Sequence, residues 1–359
     1  MEPYFYVFSF IFITGCICFP LKRYTVFFNF SVAIVLVFFA GFRHVGVGAD
    51  DYNYVQQFMI TPGLNSWFSS SYVYRYLDSY MEPGFVFLNS ILRYFTDDYR
   101  FLFLTVASIS IFITAYCYRK LSPYPIFSFL IYFVHAYLYR DMNQIRAGLA
   151  VSMGLFLIFS MHDRKIFKTI IIILSACFFH MSAIIYFLFV LFNKLALSRG
   201  LVLLLLTLAI FLNLADVPAF LINNIPSLGY ISAKVTSYAA SNEADTTALF
   251  DLTNIKNIFI CASILFYFKE FKTEVKYFDV MFSMFFLSVL WRILFSDFGI
   301  LAGRVSTFLS VTEPILISCF IVFFNKKIIS IILIFLYSFL VLYINLFVKE
   351  GRFPYLLSF

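Results

Sequence analysis

The chain has 359 residues, of which 62% are hydrophobic and only 13% are charged. Apolar runs of about 20 residues recur from end to end, which excludes a soluble globular domain and indicates an all-α, polytopic integral membrane protein. The formal net charge of +7 does not indicate nucleic-acid binding, because no basic soluble face carries it. A positive-inside distribution of lysine and arginine explains it better.

Apolar segments predict about twelve transmembrane helices in a single transmembrane domain, residues 1–359. The predicted spans are 4–21, 24–42, 100–118, 122–139, 145–161, 167–180, 182–193, 200–215, 255–268, 277–295, 304–324 and 328–347. Basic clusters occur at Lys22-Arg23, Arg119-Lys120, Arg164-Lys165-Lys168, Lys194-Arg199, Lys269-Lys272-Lys276 and Lys326-Lys327. Twelve spans put all of these clusters on one side, which the positive-inside rule identifies as the cytoplasm. Both termini then lie outside.

Arginine is concentrated on the opposite, outer side, where the topology rule disfavours positive charge. The outer arginines are Arg43, Arg75, Arg93, Arg100, Arg140, Arg146, Arg292, Arg304 and Arg352. An anionic ligand handled at the outer face explains this distribution.

The first of two long outer loops, about 43–99, begins with a group of glycines and acids. Gly46 and Gly48 permit positive φ angles and close backbone approach to a ligand. Asp50 and the adjacent Asp51 lie close in sequence to Arg43 and could supply a general base. The alternative is an Asx-type turn that caps a surface helix beginning near residue 52.

The same loop contains an aromatic stretch and then a short apolar segment. The aromatic residues are Trp67, Tyr72, Tyr74, Tyr76 and Tyr80, which suit either sugar stacking or an interfacial aromatic belt. Glu82-Pro83-Gly84 opens an apolar segment that ends at Phe95. It is too short to span a membrane comfortably, so it is expected to be re-entrant or interfacial. Glu82 then suits either chemistry or capping of that helix.

The polar stretch 139–146 separates the fourth and fifth predicted spans. Arg140 and Arg146 offer planar guanidinium groups that match phosphate oxygens, and Asn143 lies between them. Charged groups at or below a membrane surface are costly unless they face protein, water or a charged ligand. The alternative is that both arginines only contact lipid phosphates in the headgroup zone.

Three further positions carry candidate chemistry. His180 ends the sixth span at the predicted depth of Arg146, where it is either a hydrogen-bonded structural group or a proton-transfer group. Arg304 begins the eleventh span, and Glu313 lies deeper on the same helix and is expected to be paired, protonated or facing a polar cavity. Arg292 and Asp297 are close enough in sequence for an ion pair. The second outer loop, about 216–254, contains a polar run at 241–245 and is expected to be mobile.

Several motifs occur in an order that resembles the EpsG-like family of membrane proteins from exopolysaccharide, capsule and O-antigen clusters, which look like Wzy-type repeat-unit polymerases. The motifs are Gly48-Ala49-Asp50 followed by Tyr54, Glu82-Pro83-Gly84-Phe85, Asn143-Gln144-Ile145-Arg146-Ala147-Gly148-Leu149-Ala150, His180-Met181-Ser182-Ala183, Gly303-Arg304 and Phe353-Pro354-Tyr355. The resemblance covers nearly the whole chain.

The resemblance implies a GT-C-like glycosyltransferase of the bacterial cytoplasmic membrane, acting at its outer face. Its substrates would be a donor and an acceptor oligosaccharide, each linked to undecaprenyl pyrophosphate. It implies a general base among Asp50, Glu82 and His180. The implied pyrophosphate- and sugar-binding residues are Arg43, Tyr54, Arg140, Asn143, Arg146 and Arg304. No metal or cofactor is expected. Membrane lipid and a chain-length-regulating membrane protein are the expected further partners.

Two other functions stay open from the sequence. A flippase for the same lipid-linked substrates would need arginines along a path through the membrane. A membrane acyltransferase that decorates glycans would need a catalytic histidine deep in the fold, and His180 keeps this alternative open. The chain lacks Walker A, HExxH, GxSxG and CxxC sequences, which argues against an ATP-driven pump and the common hydrolases.

Overall fold

The computed structural model describes residues 1–69, 72–75, 81–224, 249–349 and 353–358, with the side chains of residues 222 and 223 excepted. Tyr76, Tyr80, Arg352 and the polar run 241–245 lie outside the described residues. Within the described ranges the regular structure is helical, apart from one isolated antiparallel bridge between Arg43 and Leu357. The predicted all-α class is confirmed.

The predicted apolar segments each contain a helix. In chain order the α-helices are α1 (Glu2–Cys18), α2 (Thr25–Gly41), α3 (Asp51–Ile60), α4 (Asn65–Phe68), α5 (Pro83–Phe95), α6 (Arg100–Leu121), α7 (Pro125–Tyr132), α8 (Ile145–Gly154), α9 (Phe156–His162), α10 (Ile166–Phe179), α11 (Ile185–Phe192), α12 (Arg199–Leu214), α13 (Val217–Asn224), α14 (Leu252–Phe266), α15 (Phe268–Glu274), α16 (Phe278–Leu294), α17 (Gly299–Leu309), α18 (Glu313–Phe323) and α19 (Lys327–Tyr343). Single turns at Met181–Ile184 and Ser310–Thr312 are 3₁₀-helical, and Phe133–Tyr137 and Ile344–Val348 form π-helical turns.

Five helical stretches are long and apolar enough to cross a membrane: Lys22–Gly41, Arg100–Leu121, Ile145–His162, Gly299–Phe323 and Lys327–Val348. Shorter apolar helices accompany them, so the protein is a multi-pass helical membrane protein. The number of twelve spans stays a prediction.

The chain forms two compact units, and the first comprises residues 1–183 and 314–359. Its core is built by packing of α2 on α6, α6 on α8, α8 on α10, and α1 on α7. Two contacts show polar side chains of this core that bond across helices. The amide of Asn29 donates to the Ala115 carbonyl at 3.0 Å, and the Ser122 and Ser318 hydroxyls are 2.9 Å apart. Such bonds stabilise helix packing in a setting without water.

The C-terminal tail packs against the end of α2 in the first unit. The His44 amide donates to the Leu356 carbonyl at 2.8 Å, and the Ser358 amide donates to the Phe42 carbonyl at 2.9 Å. The Tyr355 ring stacks on Phe39 with centroids 4.0 Å apart. The end of α2 and the tail therefore lie together at one end of the unit.

The second unit comprises residues 184–313. Glu313 is buried, and its carboxylate accepts a hydrogen bond from Lys256 at 2.6 Å, which supplies the partner that the sequence did not reveal. Arg292 pairs with Asp251 at 2.5 Å, while Asp297 accepts from Asn213 at 3.0 Å. The expected pair between Arg292 and Asp297 is thus replaced by partners from other helices.

Candidate active site

A buried ion pair fixes the loop that follows α2. Arg43 is 0% exposed, its Nη2 lies 2.7 Å from Asp51 Oδ1, and its Nη1 donates to the Ala40 carbonyl at 2.5 Å. The guanidinium also lies over the Phe103 ring, 4.1 Å from its centroid. The second oxygen of Asp51 accepts from the Gly48 amide at 2.7 Å. Asp51 therefore stabilises this turn through buried bonds to Arg43 and to the Gly48 amide. Helix α3 begins at Asp51, one residue before the predicted start.

The same loop contacts the polar stretch between the fourth and fifth predicted spans. A Cβ atom at Gly48 would collide with the Met142 carbonyl oxygen, so only glycine permits this approach. The Asp50 amide then donates to the side-chain oxygen of Asn143 at 2.9 Å. Asp50 is half-buried and occupies the N-cap position of α3, but its carboxylate makes no capping bond. The structure thus brings the predicted residues Asp50 and Asn143 together.

Glu82 and Arg146 form the second ion pair of the site. The Arg146 Nη1 donates to Glu82 Oε2, and the Met181 amide donates to Glu82 Oε1 at 3.0 Å. Glu82 is buried at the N-cap of α5, but its carboxylate makes no capping bond there. The two carboxylate oxygens of Glu82 are therefore bound by two different elements. One is helix α8, through Arg146, and the other is the turn that directly follows His180, through Met181.

Aromatic rings enclose the guanidinium of Arg146. Its carbon lies 5.8 Å from the Tyr54 ring centroid and 6.0 Å from that of Phe85. The Nε atom of Arg146 is buried and has no hydrogen-bond partner among the described residues. Buried donors are normally satisfied, so an unpaired buried N–H makes Arg146 a candidate for a ligand contact that the structure does not contain.

Tyr54 connects the two halves of the site. Burial raises the pKa of its phenol above the ordinary value of 10.0, and the charge of Arg146 lowers it. The charges of the Asp50 and Glu82 carboxylates raise it again. Tyr54 is therefore a neutral phenol within electrostatic reach of both acids. We call Asp50, Tyr54, Glu82, Asn143 and Arg146 the Arg146 cluster.

The end of α10 brings His180 to the region of Glu82. A Cβ atom at Gly84 would lie 2.6 Å from the Phe178 carbonyl oxygen, so glycine is required where α5 meets α10. His180 Nδ1 accepts a hydrogen bond from the Ser182 amide at 3.2 Å. The neutral ring then carries its proton on Nε2, which makes His180 a donor at that atom.

The other two predicted arginines differ in their surroundings. Arg140 is buried in the first unit, and its Nη1 donates to the Gln144 side chain at 2.5 Å. Gly148, one turn into α8, packs against the Arg140 backbone. Arg304 is exposed on α17 and belongs to the second unit.

Asp141 is a buried acid that the sequence analysis did not assign a role. It accepts hydrogen bonds of 2.5 Å from the Ser110 and Tyr132 hydroxyls, and burial raises its pKa despite these bonds. The sequence does give a signal for Asp141, because it is an acid in a short segment between two apolar runs. Its contacts fix the stretch that presents Asn143 to the loop of Asp50.

Within the described ranges, no group of three or more His, Cys, Asp or Glu side chains is arranged to hold a metal ion. The predicted independence from metal stays a prediction.

Comparisons with known proteins identify the family. The model of the EpsG family matches residues 25–357, which include the whole Arg146 cluster. The amylovoran biosynthesis protein AmsC of Erwinia amylovora is 28% identical over 286 residues, covering 78% of this chain and 75% of AmsC. No solved structure matches the chain. With a family match over almost its full length and the ordered motifs in place, the chain belongs to the EpsG family.

Proposed function

We propose that this protein is a glycosyltransferase that polymerises oligosaccharide repeat units carried on undecaprenyl pyrophosphate. Membership of the EpsG family and similarity to a protein named for amylovoran biosynthesis support a role in polysaccharide synthesis. The observation that carries the proposal is the Arg146 cluster, where an enclosed arginine adjoins carboxylates, an amide and a phenol. The proposed location is the outer face of the bacterial cytoplasmic membrane.

Arg146 is the proposed site for the donor diphosphate. Its guanidinium is fixed by Tyr54, Phe85 and Glu82, and its Nε–H has no partner among the described residues. As the bond between sugar and diphosphate breaks, the leaving group gains negative charge. A cation already held in place stabilises that charge at little reorganisation cost. Arg43 has a positioning role in this proposal, because all of its surface is inside the protein.

Asp50 is the proposed general base. Its carboxylate is half-buried, whereas Glu82 is held by Arg146 and the Met181 amide. The acceptor hydroxyl attacks the anomeric carbon, its proton passes to Asp50, and the anomeric C–O bond to diphosphate breaks. His180 donates from Nε2, which suits a phosphate or sugar oxygen better than proton abstraction. Asn143 and Arg140 are proposed to contact substrate near Asp50.

A gel of surface glycan tests the proposal in the host bacterium. Deletion of the gene is expected to leave a single repeat unit on the surface, because export still occurs. Arg146→Ala is expected to give the same pattern at a normal protein level. Arg100→Ala is the matched control, because that outer arginine pairs with Asp98 away from the cluster. Complete loss of surface repeat units on deletion would instead support a flippase, and long glycan from Arg146→Ala would remove Arg146 from the site.

A further inference from the structure

An apolar patch is exposed where helices α3 and α5 end. The two helices run side by side, because the Tyr54 ring contacts Phe85 at 5.6 Å and the Arg93 guanidinium lies 5.7 Å from the Phe58 ring centroid. Their inner faces are buried in a shared core. Their ends expose four apolar side chains that we call the α3/α5 patch: Met59, Ile60, Tyr94 and Phe95.

All four side chains of the patch are exposed. Arg93 lies between its two halves, since its Nη1 approaches the Met59 sulfur at 3.9 Å. Phe95 is 77% exposed, Ile60 64% and Tyr94 56%. Contiguous exposed apolar surface of this kind marks a contact with a partner or with lipid.

We infer that the α3/α5 patch inserts into the boundary between headgroups and acyl chains of the adjoining leaflet. The patch is close in the chain to the exposed apolar surface of a candidate span. The candidate span Arg100–Leu121 begins five residues after Phe95, and its exposed side chains are apolar as far as Tyr116. They are Phe101, Ile109, Phe112 and Tyr116. The patch ends at Phe95, and only residues 96–99 separate it in the chain from this apolar surface.

The chemistry around the patch suits that depth. Tyr94 and Phe95 are aromatic, and Arg93 pairs with the exposed Asp97 at 2.5 Å. Aromatic rings next to paired charges are typical of side chains at a membrane interface, with the rings toward the acyl chains. A soluble protein partner would require the patch to stand clear of the bilayer, yet both flanking chain segments lead into candidate spans.

The contact anchors one end of α5, while Glu82 lies at the other end of the same helix. Lipid contact at Phe95 therefore limits tilting of the helix that carries Glu82. The inference does not depend on the proposed polymerase activity, because lipid contact is measured without a substrate.

Fluorescence quenching by brominated lipid tests the contact. The chain has two tryptophans, Trp67 and Trp291, and both are replaced by Phe. Ile60→Trp or Phe95→Trp is then introduced, and the full-length protein is reconstituted in phosphatidylcholine vesicles with or without bromine near the glycerol end of the acyl chains. We expect bromolipid to lower the emission of both reporters about twofold, and aqueous iodide to have little effect.

Asn53→Trp is the control, because Asn53 is an exposed polar residue two turns earlier on α3. We expect iodide, and not bromolipid, to quench it. Quenching of the Phe95→Trp reporter by iodide alone would place the patch in water and overturn the inference. If neither quencher lowered the emission of the Phe95→Trp reporter, the patch would be covered by protein, and this result would also overturn the inference. If the Phe background fails to fold, the difference between Phe95→Trp and the unmodified chain gives the same reading.

Discussion

Glu82 and Arg146 are 64 residues apart in the sequence, and their side chains form an ion pair whose carboxylate is almost fully buried. The other carboxylate oxygen of Glu82 accepts a hydrogen bond from the Met181 amide. In the proposed reaction, a donor diphosphate at Arg146 would compete with Glu82, and the carboxylate would keep its hydrogen bond to Met181 when displaced. This arrangement holds the arginine in place before the substrate arrives.

Removal of one member of this pair is expected to damage both folding and function. Arg146→Met leaves a buried carboxylate uncompensated, at a cost of about 3–5 kcal/mol. The double variant Glu82→Met with Arg146→Met removes both charges and is expected to restore the protein level without restoring long glycan. Immunoblots and glycan gels measure the two effects. Long glycan from the double variant would contradict the role of Arg146 in binding diphosphate.

Substitutions of the adjacent acids Asp50 and Asp51 are expected to have different effects. Asp51→Asn leaves the buried guanidinium of Arg43 without its counter-charge, so we expect a loss of stability of about 3–5 kcal/mol. Asp50→Asn keeps that pair, so we expect normal thermal stability and loss of glycan polymerisation. Melting curves in detergent, combined with glycan gels, separate the outcomes. Normal polymerisation by Asp50→Asn would exclude it as the base.

Tyr54 is expected to make the protein sensitive to alkaline pH. Burial raises its pKa above 10.0, so the folded state holds the phenolic proton more tightly than the unfolded chain. Stability is then fully present below pH 10.0 and falls as the pH rises toward the folded-state value. Tyr54→Phe removes this contribution. Melting temperatures from pH 8 to 11 are expected to fall less steeply in the variant than in the wild type, and equal slopes would contradict the assignment.

Gly84 is expected to tolerate no side chain. A Cβ atom there would press on the Phe178 ring and lie 2.6 Å from its backbone oxygen, which a change of rotamer cannot relieve. We expect Gly84→Ala to destabilise the protein by about 1–3 kcal/mol. Gly63→Ala is the control, because the nearest atom to its Cβ would be 3.8 Å away. Equal melting temperatures for the two variants would refute the close contact of α5 and α10.

Lys256 and Glu313 are expected to matter for the stability of the second unit only as a pair, so that removing both costs less than removing Glu313 alone. Glu313→Met leaves Lys256 without its buried counter-charge, and we expect a loss of about 3–5 kcal/mol. Adding Lys256→Met is expected to recover most of that loss. Thermal unfolding of both variants and the wild type checks this, and additive losses would show that the two residues act separately.

Local patterns predicted the elements well. The apolar runs gave the helices, because each run must bury its backbone polar groups within a helix. Glu82-Pro83 placed the start of α5, since proline suits the first helical turn. The motif order also selected Asp50, Asn143, Glu82 and Arg146, which the structure brings into contact in two pairs.

The ion-pair partners of the charged residues could not be predicted from the sequence. Arg292 is close in sequence to Asp297 but pairs with Asp251, 41 residues away. Lys256 meets Glu313 across 57 residues. Which acid reaches which base depends on how helices pack, and helical periodicity does not contain that information. The distinction between Asp50 and Asp51 likewise required the position of the Arg43 guanidinium.

The bonding of residues 356–358 to Phe42 and His44 has a practical consequence. An inserted tag or reporter that displaces residues 356–358 would pull on the segment that leads from α2 to Asp50, and such a variant is expected to lose activity while still being made. Purification handles are better inserted near Lys276, an exposed residue in the turn between α15 and α16 of the second unit, which is far in the sequence from residues 356–358.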